Sequence, residues 1–352
     1  MHHFLNSHLY RRAIRALWIS AIVLPVFVVG AARAQDADNT SARAHVFEFL
    51  NVVTNPRAAA LGNAFTSMKN DPNAFFSNPA TLSTLGQNDS LPIVRALGFG
   101  FTKYILDINE GFISYDQRMG DSGNGSFGAG VQYIDYGTFQ GYDTKGLATG
   151  DFGAREFALS VGYSNIAPHN VHYGVSVKFI SSSLVSGSSV ANYSASGIAA
   201  DAGLFYDLES ALMTFGLSAL NIGTQLKTYA GVQEALPFNL SLGISKKLER
   251  LPLTVHLAFH NLTRDREGRD LFFALNDFSF GGEFTLGKAL RLRIGYENQK
   301  RRDLKLPTGS GLAGFSLGAG VVVKQYQFDY SFNSLGLAFQ PLHRLGVGIA
   351  FY

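Results

Sequence analysis

The chain has 352 residues, a formal net charge of +3, no cysteine, 38 glycines, 29 phenylalanines and 15 tyrosines, and 16% of its residues are charged. Without cysteine there is neither a disulfide framework nor a thiolate metal centre, and a small net charge without long basic runs gives no electrostatic footprint for nucleic acid. Glycine and aromatic residues in abundance, with little charge, point to a β protein with an apolar exterior.

In chain order, residues 1–34 come first. Arg11, Arg12 and Arg15 precede an apolar run from Ala16 to Ala32, which ends in Ala32-Arg33-Ala34 before Gln35. This is the layout of a secretory signal peptide, with cleavage predicted near Ala34. The run is short and holds Pro25, which argues against a membrane anchor. No later stretch approaches the ~20 apolar residues that a membrane helix needs.

Residues 35–90 do not alternate and precede the first convincing strand. RAAALGNAF (57–65) suits a short helix or a compact loop in a confined space. NDPNAFFSNPATL (70–82) holds two prolines and three asparagines, which favour turns over ladders. The segment is predicted to be a hatch in, or at the periplasmic mouth of, a barrel. Phe75 and Phe76 would pack on the inner wall, and Asn78 would satisfy backbone groups around Pro79. A flexible linker is the rival reading, although linkers seldom carry adjacent phenylalanines.

Residues 91–352 repeat a period of two. In VHYGVSVKF, Val171, Tyr173, Val175, Val177 and Phe179 share one face and His172, Gly174, Ser176 and Lys178 the other. FSFGGEFTL, LRLRIGY and QYQFDYSF behave likewise, placing Glu283, Arg291, Arg293 and Asp329 on the polar face. A soluble sandwich also alternates. Segment length near ~10 residues, an even count of about fourteen, and connections that alternate short and long favour a transmembrane antiparallel β-barrel instead. Long loops would face outward, and an even count would return both chain ends to the periplasm. Strand glycines such as Gly128, Gly281, Gly318 and Gly346 are expected where strands bend. In the terminal strand HRLGVGIAFY, Phe351 is expected to face lipid and Tyr352 to sit at the periplasmic rim.

No motif for catalysis occurs: there is no Gly-x-Ser-x-Gly, P-loop, His-Glu-x-x-His or helix-opening Gly-x-Gly-x-x-Gly. The chain is read as no enzyme, and no cofactor or metal is expected. His256 and His260 would lie ~13 Å apart on a strand, too far to hold one ion together. Candidate surface docking residues are Tyr142 and Asp143, Lys227 and Tyr229, Arg264 and Arg266 in RDREGRD, and Arg301 and Arg302 in KRRDLK. A solvated face, or contact with lipopolysaccharide phosphate, is the bland alternative for the charged runs.

AAALGNAF followed by DPNAFFSNPATL resembles the hatch signature of the long-chain fatty acid transporter superfamily: a small-residue stretch with Gly62, an acidic turn at Asp71, then Asn78, Pro79 and Ala80. FEFLNVVTNPRAAALGN, GFTKYILDINEGFISYDQ, FGAGVQYIDYGTFQGYDTKG, VSVKFISSSL, IAADAGLFYD and NIGTQLKTYAGVQEALPFNLSLGISKKLERLPLTV are similar to consecutive blocks of the PorV/PorQ family of the type IX secretion system, over about residues 46–262. Asn-Pro-Arg, ending at Arg57, and Asn-Pro-Ala-Thr at 78–81 stand closer to the PorQ branch than to the PorV branch. The resemblance implies a fourteen-stranded outer-membrane barrel that is not an enzyme. Its partners would be outer-membrane lipid and the secretion proteins PorZ, PorU and PorV-like barrels, in export of cargo with C-terminal signal domains. The wider superfamily implies an alternative, lateral transport of hydrophobic small molecules, with lipid or detergent as a lumen occupant.

Overall fold

The computed structural model describes residues 45–86, 93–104, 107–119, 125–186, 193–263, 275–307, 309, 311–337 and 339–352. The expected signal peptide, Arg264 and Arg266 lie outside the described residues. The barrel and the segment inside it belong to one unit, Val46–Tyr352.

Among the described residues fourteen strands close into one antiparallel barrel, each pairing with its chain neighbours and β1 with β14. They are β1 (Arg95–Lys103), β2 (Asn109–Met119), β3 (Gly125–Tyr142), β4 (Ala148–Ala167), β5 (Val171–Ser186), β6 (Tyr193–Leu208), β7 (Met213–Lys227), β8 (Asn239–Lys247), β9 (Leu253–Phe259), β10 (Phe278–Leu286), β11 (Leu290–Glu297), β12 (Phe315–Val323), β13 (Tyr326–Asn333) and β14 (Leu342–Phe351). The connections at one end are tight, such as Pro168–Asn170 and Glu209–Ala211. The connections at the other end are longer. We call these the turn end and the loop end.

The two-residue period becomes an outside and an inside. Along β5, Tyr173, Val175, Val177 and Phe179 are 45–56% exposed, whereas His172, Ser176 and Lys178 are 1–4% exposed. Apolar residues stand exposed on strand after strand, for example Ile113, Leu159, Ile198, Phe280, Leu317 and Phe328. An exposed apolar belt on a closed strand ladder is stable against lipid, since closure leaves no unpaired edge in the apolar zone. In β14, Leu345 and Phe351 face out while Arg344 and Gly346 face in.

Strand length is uneven. β3 to β7 run 15–20 residues, while β8 to β14 run 7–10. β2 leaves β3 at Asn109↔Asp135, and β8 leaves β7 at Leu220↔Asn239. Beyond those points β3 to β7 continue as a five-stranded wall at the loop end, reaching Tyr142↔Ala148 between β3 and β4. The glycine-rich stretch of β3 beyond Asp135 keeps no alternation in the sequence, so the period of two does not reveal this extension.

Candidate functional site: the lumen and its plug

Residues 46–86 fill the barrel. Val46 donates its backbone N–H to Ala235 O in the β7–β8 connection, and Val46, Phe47 and Phe49 pack with Ile134, Ala158, Ile180 and Leu236. Ile134 and Ala158 lie near the middle of β3 and β4, and Ile134 sits next to Asp135, where β2 leaves β3. The chain then descends through a five-residue helix, α1 (Pro56–Ala60), whose first turn is capped by Asn55 Oδ1 accepting from Arg57 N at 2.8 Å, with Pro56 at the position where a missing N–H costs nothing. It ends against the turn-end third of the wall and reaches β1 there. The hatch expected in, or at the periplasmic mouth of, the barrel lies inside it, as a plug running the height of the lumen. Strands β1 and β14 begin and end at the turn end as expected. The described part of the plug begins at the loop end, where Val46 bonds Ala235. An even strand count fixes only where the wall begins and ends.

Each hatch residue of the sequence reading has a definite partner. Arg57 grips Glu283 of β10 through two parallel bonds, Nε to Oε2 at 2.9 Å and Nη2 to Oε1 at 2.8 Å, and reaches Asp71 Oδ2 at 3.2 Å. Asp71 also accepts from Asn55 Nδ2 at 3.0 Å and from Asn73 N at 2.9 Å. Glu283 accepts from Arg293 Nε at 2.7 Å, and Arg293 Nη1 meets Asp329 Oδ1 at 2.5 Å. Two guanidiniums thus sit among three carboxylates, tying the plug to β10, β11 and β13. Bidentate geometry of this kind fixes orientation as well as charge.

Asn78 is fully buried. Its Nδ2 donates to Thr66 O at 3.0 Å and to Leu204 O of β6 at 3.1 Å, and its Oδ1 accepts from Ala80 N at 3.1 Å. One amide therefore joins two parts of the plug to the wall and caps the 3-10 turn Pro79–Thr84. Phe75 and Phe76 lie tilted by 30° with centroids 4.3 Å apart, and Phe76 meets Phe112 of β2 edge-on.

The lumen glycines explain how the plug fits. A Cβ on Gly203 would lie 2.0 Å from Asn78 Oδ1, and one on Gly174 would lie 2.5 Å from the Pro79 carbonyl carbon. Gly130 faces Phe76, Gly281 faces Leu61, Gly318 faces Ala60 and Gly346 faces Pro56 in the same way. These strand glycines relieve crowding, as expected of them, and the crowding comes from the close approach of the plug. On the plug side Gly62 has φ +65° and sits against the Tyr296 backbone, so it needs both the left-handed region and the missing Cβ. The signal was available: the glycines recur at inward positions on many strands.

A cavity of about 60 Å³ lies between plug and wall, lined by Asn55, Thr66, Asn73, Gln132, Ser241 and His260 among others. That is room for a few waters, against walls that also carry Leu50, Val53, Ala58, Phe76 and Leu220. His260 Nδ1 contacts Ser241 Oγ at 3.1 Å and His256 Nδ1 contacts Ser245 Oγ at 2.7 Å, so the two rings serve separate partners. No group of three or more metal-ligating side chains occurs among the described residues.

The candidate docking residues divide. Tyr142 and Asp143 stand exposed at the β3–β4 tip, where Asp143 Oδ1 accepts from Lys145 N and Leu147 N at 2.8 Å. Lys227 is exposed and bonds Ser194 Oγ at 2.6 Å. Tyr229 is half-buried, bonding Ser182 and packing on the Phe47 cluster, so it pins its loop. Burial pushes its phenol above the ordinary value, with the Ser182 bond pulling the other way, so it stays neutral at physiological pH. Arg301 and Arg302 lie on a short helix, α2 (Asn298–Asp303), where Arg302 pairs with buried Asp277.

No protein-family model matches the chain, and no curated protein matches it in sequence. Solved structures do match. The Pseudomonas putida toluene transporter TodX aligns with a TM-score of 0.53 at 16% identity, covering 83% of this chain and 96% of its own. A TodX deltaS2S3 mutant, described as a monoaromatic hydrocarbon channel, aligns at 0.55 and 16%, covering 84% and 98%. A Pseudomonas aeruginosa FadL homologue aligns at 0.54 and 12%, covering 85% and 98%. At such identities the likeness speaks for architecture, and the chain shares the fold of these proteins as a closed fourteen-stranded antiparallel β-barrel.

Proposed function

We propose that this chain is a plugged outer-membrane barrel that serves as a non-catalytic anchor for a surface complex, in the manner implied by its sequence resemblance to the PorV/PorQ family of the type IX secretion system. The observation that carries this reading is the filled lumen. An ion-paired plug from Val46 to Gly86 occupies the lumen, with a cavity of about 60 Å³ of mixed polar and apolar lining between plug and wall, which suits a wall that holds partners. Arg57, Gly62, Asp71, Phe75, Phe76, Asn78, Pro79 and Ala80 are the residues that keep the lumen closed on this view. The β3–β4 tip at Tyr142 and Asp143, with Lys227, supplies the outward face.

A second reading, passage of hydrophobic small molecules, is favoured by the structural neighbours, which are described as a toluene transporter and a FadL homologue. Those comparisons lend it more support than they lend to secretion, for which the support is the ordered sequence blocks and the closed lumen. It requires the plug to yield an apolar route. The deciding experiment deletes the gene and measures two quantities in the same strain: surface-attached cargo bearing C-terminal signal domains, and uptake of a labelled long-chain fatty acid or toluene. Loss of cargo with normal uptake supports anchoring. Normal cargo with lost uptake supports transport and removes the first reading.

A further inference from the structure

The wall formed by β3 to β7 at the loop end is an open sheet, and its two edges are treated differently. At the β7 edge the next connection folds back over the strand: Asn221 Nδ2 donates to Pro237 O at 3.0 Å, Gln225 Oε1 accepts from Glu234 N at 2.7 Å, and Gln233 Nε2 donates to Thr224 Oγ1 at 2.6 Å. That edge is occupied. At the β3 edge, pairing with β2 stops at Asp135, while pairing with β4 runs on from Thr138 to Tyr142. Among the described residues no backbone group bonds to the outer side of Thr138–Tyr142. A row of unpaired N–H and C=O groups is a template for another strand. The bulge between Asp135 and Thr138, with Gly137 at φ +78° and its N–H donating to Asp135 Oδ1 at 2.9 Å, sets this edge off from the membrane-embedded ladder.

Directly beside the edge lies a cleft of about 530 Å³ bounded by Asp107, Asn109, Asp135, Gly137, Thr138 and Arg155. Arg155 Nε reaches Asp135 Oδ2 at 3.1 Å, which leaves Asp107 without an opposing cation among the cleft residues. Counting Asp107, Asp135, Asp143 and Asp151 against Lys103, across from Asn109, and Lys145 and Arg155, the surroundings carry one net negative charge. We propose that the β3 edge at Thr138–Tyr142 binds one extended segment of another polypeptide as an added strand, with a basic side chain of that segment seated in the cleft toward Asp107. Main-chain pairing supplies affinity and the cleft supplies selectivity, as in other strand additions. The inference holds under either reading of the function, because its test needs only the isolated barrel.

The probe is a capped six-residue peptide of alternating lysine and valine, titrated against the full chain in detergent. It is compared with its glutamate–valine counterpart and with a lysine–valine peptide N-methylated on alternate backbone nitrogens. The lysine peptide should bind at least about tenfold more tightly than either, the scale of losing one or two hydrogen bonds or a charge contact. In a chain carrying Asp107→Asn and Asp135→Asn, the preference for lysine over glutamate should shrink to about twofold or less while sensitivity to N-methylation persists. Equal binding of the N-methylated and unmodified lysine peptides by the native chain would overturn the proposal, as would no binding at millimolar peptide. Retained heat-dependent gel mobility in the double variant confirms that it is folded.

Discussion

Arg57 is the residue on which docking of the plug turns. Replacing it with alanine leaves Asp71 and Glu283 facing each other's surroundings without their shared cation, and breaking a buried pair from one side costs about 3–5 kcal/mol. The wall keeps Arg293 against Glu283 and Asp329, so the barrel itself should hold. Arg57→Ala should therefore speed amide hydrogen exchange across residues 46–86 while the strands remain protected; unchanged exchange in the plug would refute the role given to the network. Asn78→Ala with Pro79→Ala should act at the other end of the plug, opening the lumen to ions in a planar bilayer while gel mobility stays heat-dependent. A folded double variant with unchanged conductance would remove Asn78 from the seal. The sequence made these residues visible through composition alone, since two asparagine–proline steps stand out in a proline-poor chain. It could not show that Arg57 and Glu283 meet, because 226 positions separate them.

At the scale of elements, the two-residue period placed every strand because one face must match lipid and the other must match the plug. The boundaries were blurred only where neither constraint acts, as in the loop-end reaches of β3 and β4. The same logic separates the two faces by substitution. Val177→Lys on the outer face of β5 puts a charge in the apolar belt at a cost of about 2–4 kcal/mol near mid-membrane, and should lower the urea concentration at which the barrel unfolds. Gly203→Val on the inner face of β6 should leave that unfolding midpoint nearer the native value. It should instead displace the plug, since a Cβ there overlaps Asn78 Oδ1. If both variants destabilised the wall equally, with the plug still protected from exchange, the close-approach role of the inward glycines would be wrong. Inward glycines opposite a segment with small residues were the one legible sign of plug contact, and they are easily mistaken for strand bends when only the wall is considered.

For the whole molecule the decisive feature is the direction of the plug. A hatch confined to the turn end would touch only that rim, whereas a described segment that starts at the loop end, with Val46 bonded to Ala235, and joins β1 at the turn end spans the lumen from end to end. This direction was not legible in the sequence, where the position of β1 relative to the plug says nothing about the end from which the plug arrives. The absence of cysteine makes it testable with single labels. Glu48→Cys at the exposed start of the plug, Lys145→Cys at the β3–β4 tip and Lys288→Cys in a tight turn should be treated with a membrane-impermeant maleimide on intact cells. Glu48→Cys and Lys145→Cys should label at once, and Lys288→Cys only after the outer membrane is permeabilised. Labelling of Lys145→Cys without Glu48→Cys would keep the orientation of the barrel and reject the threading. The reverse pattern, with Lys288→Cys alone accessible, would show that the long connections face inward.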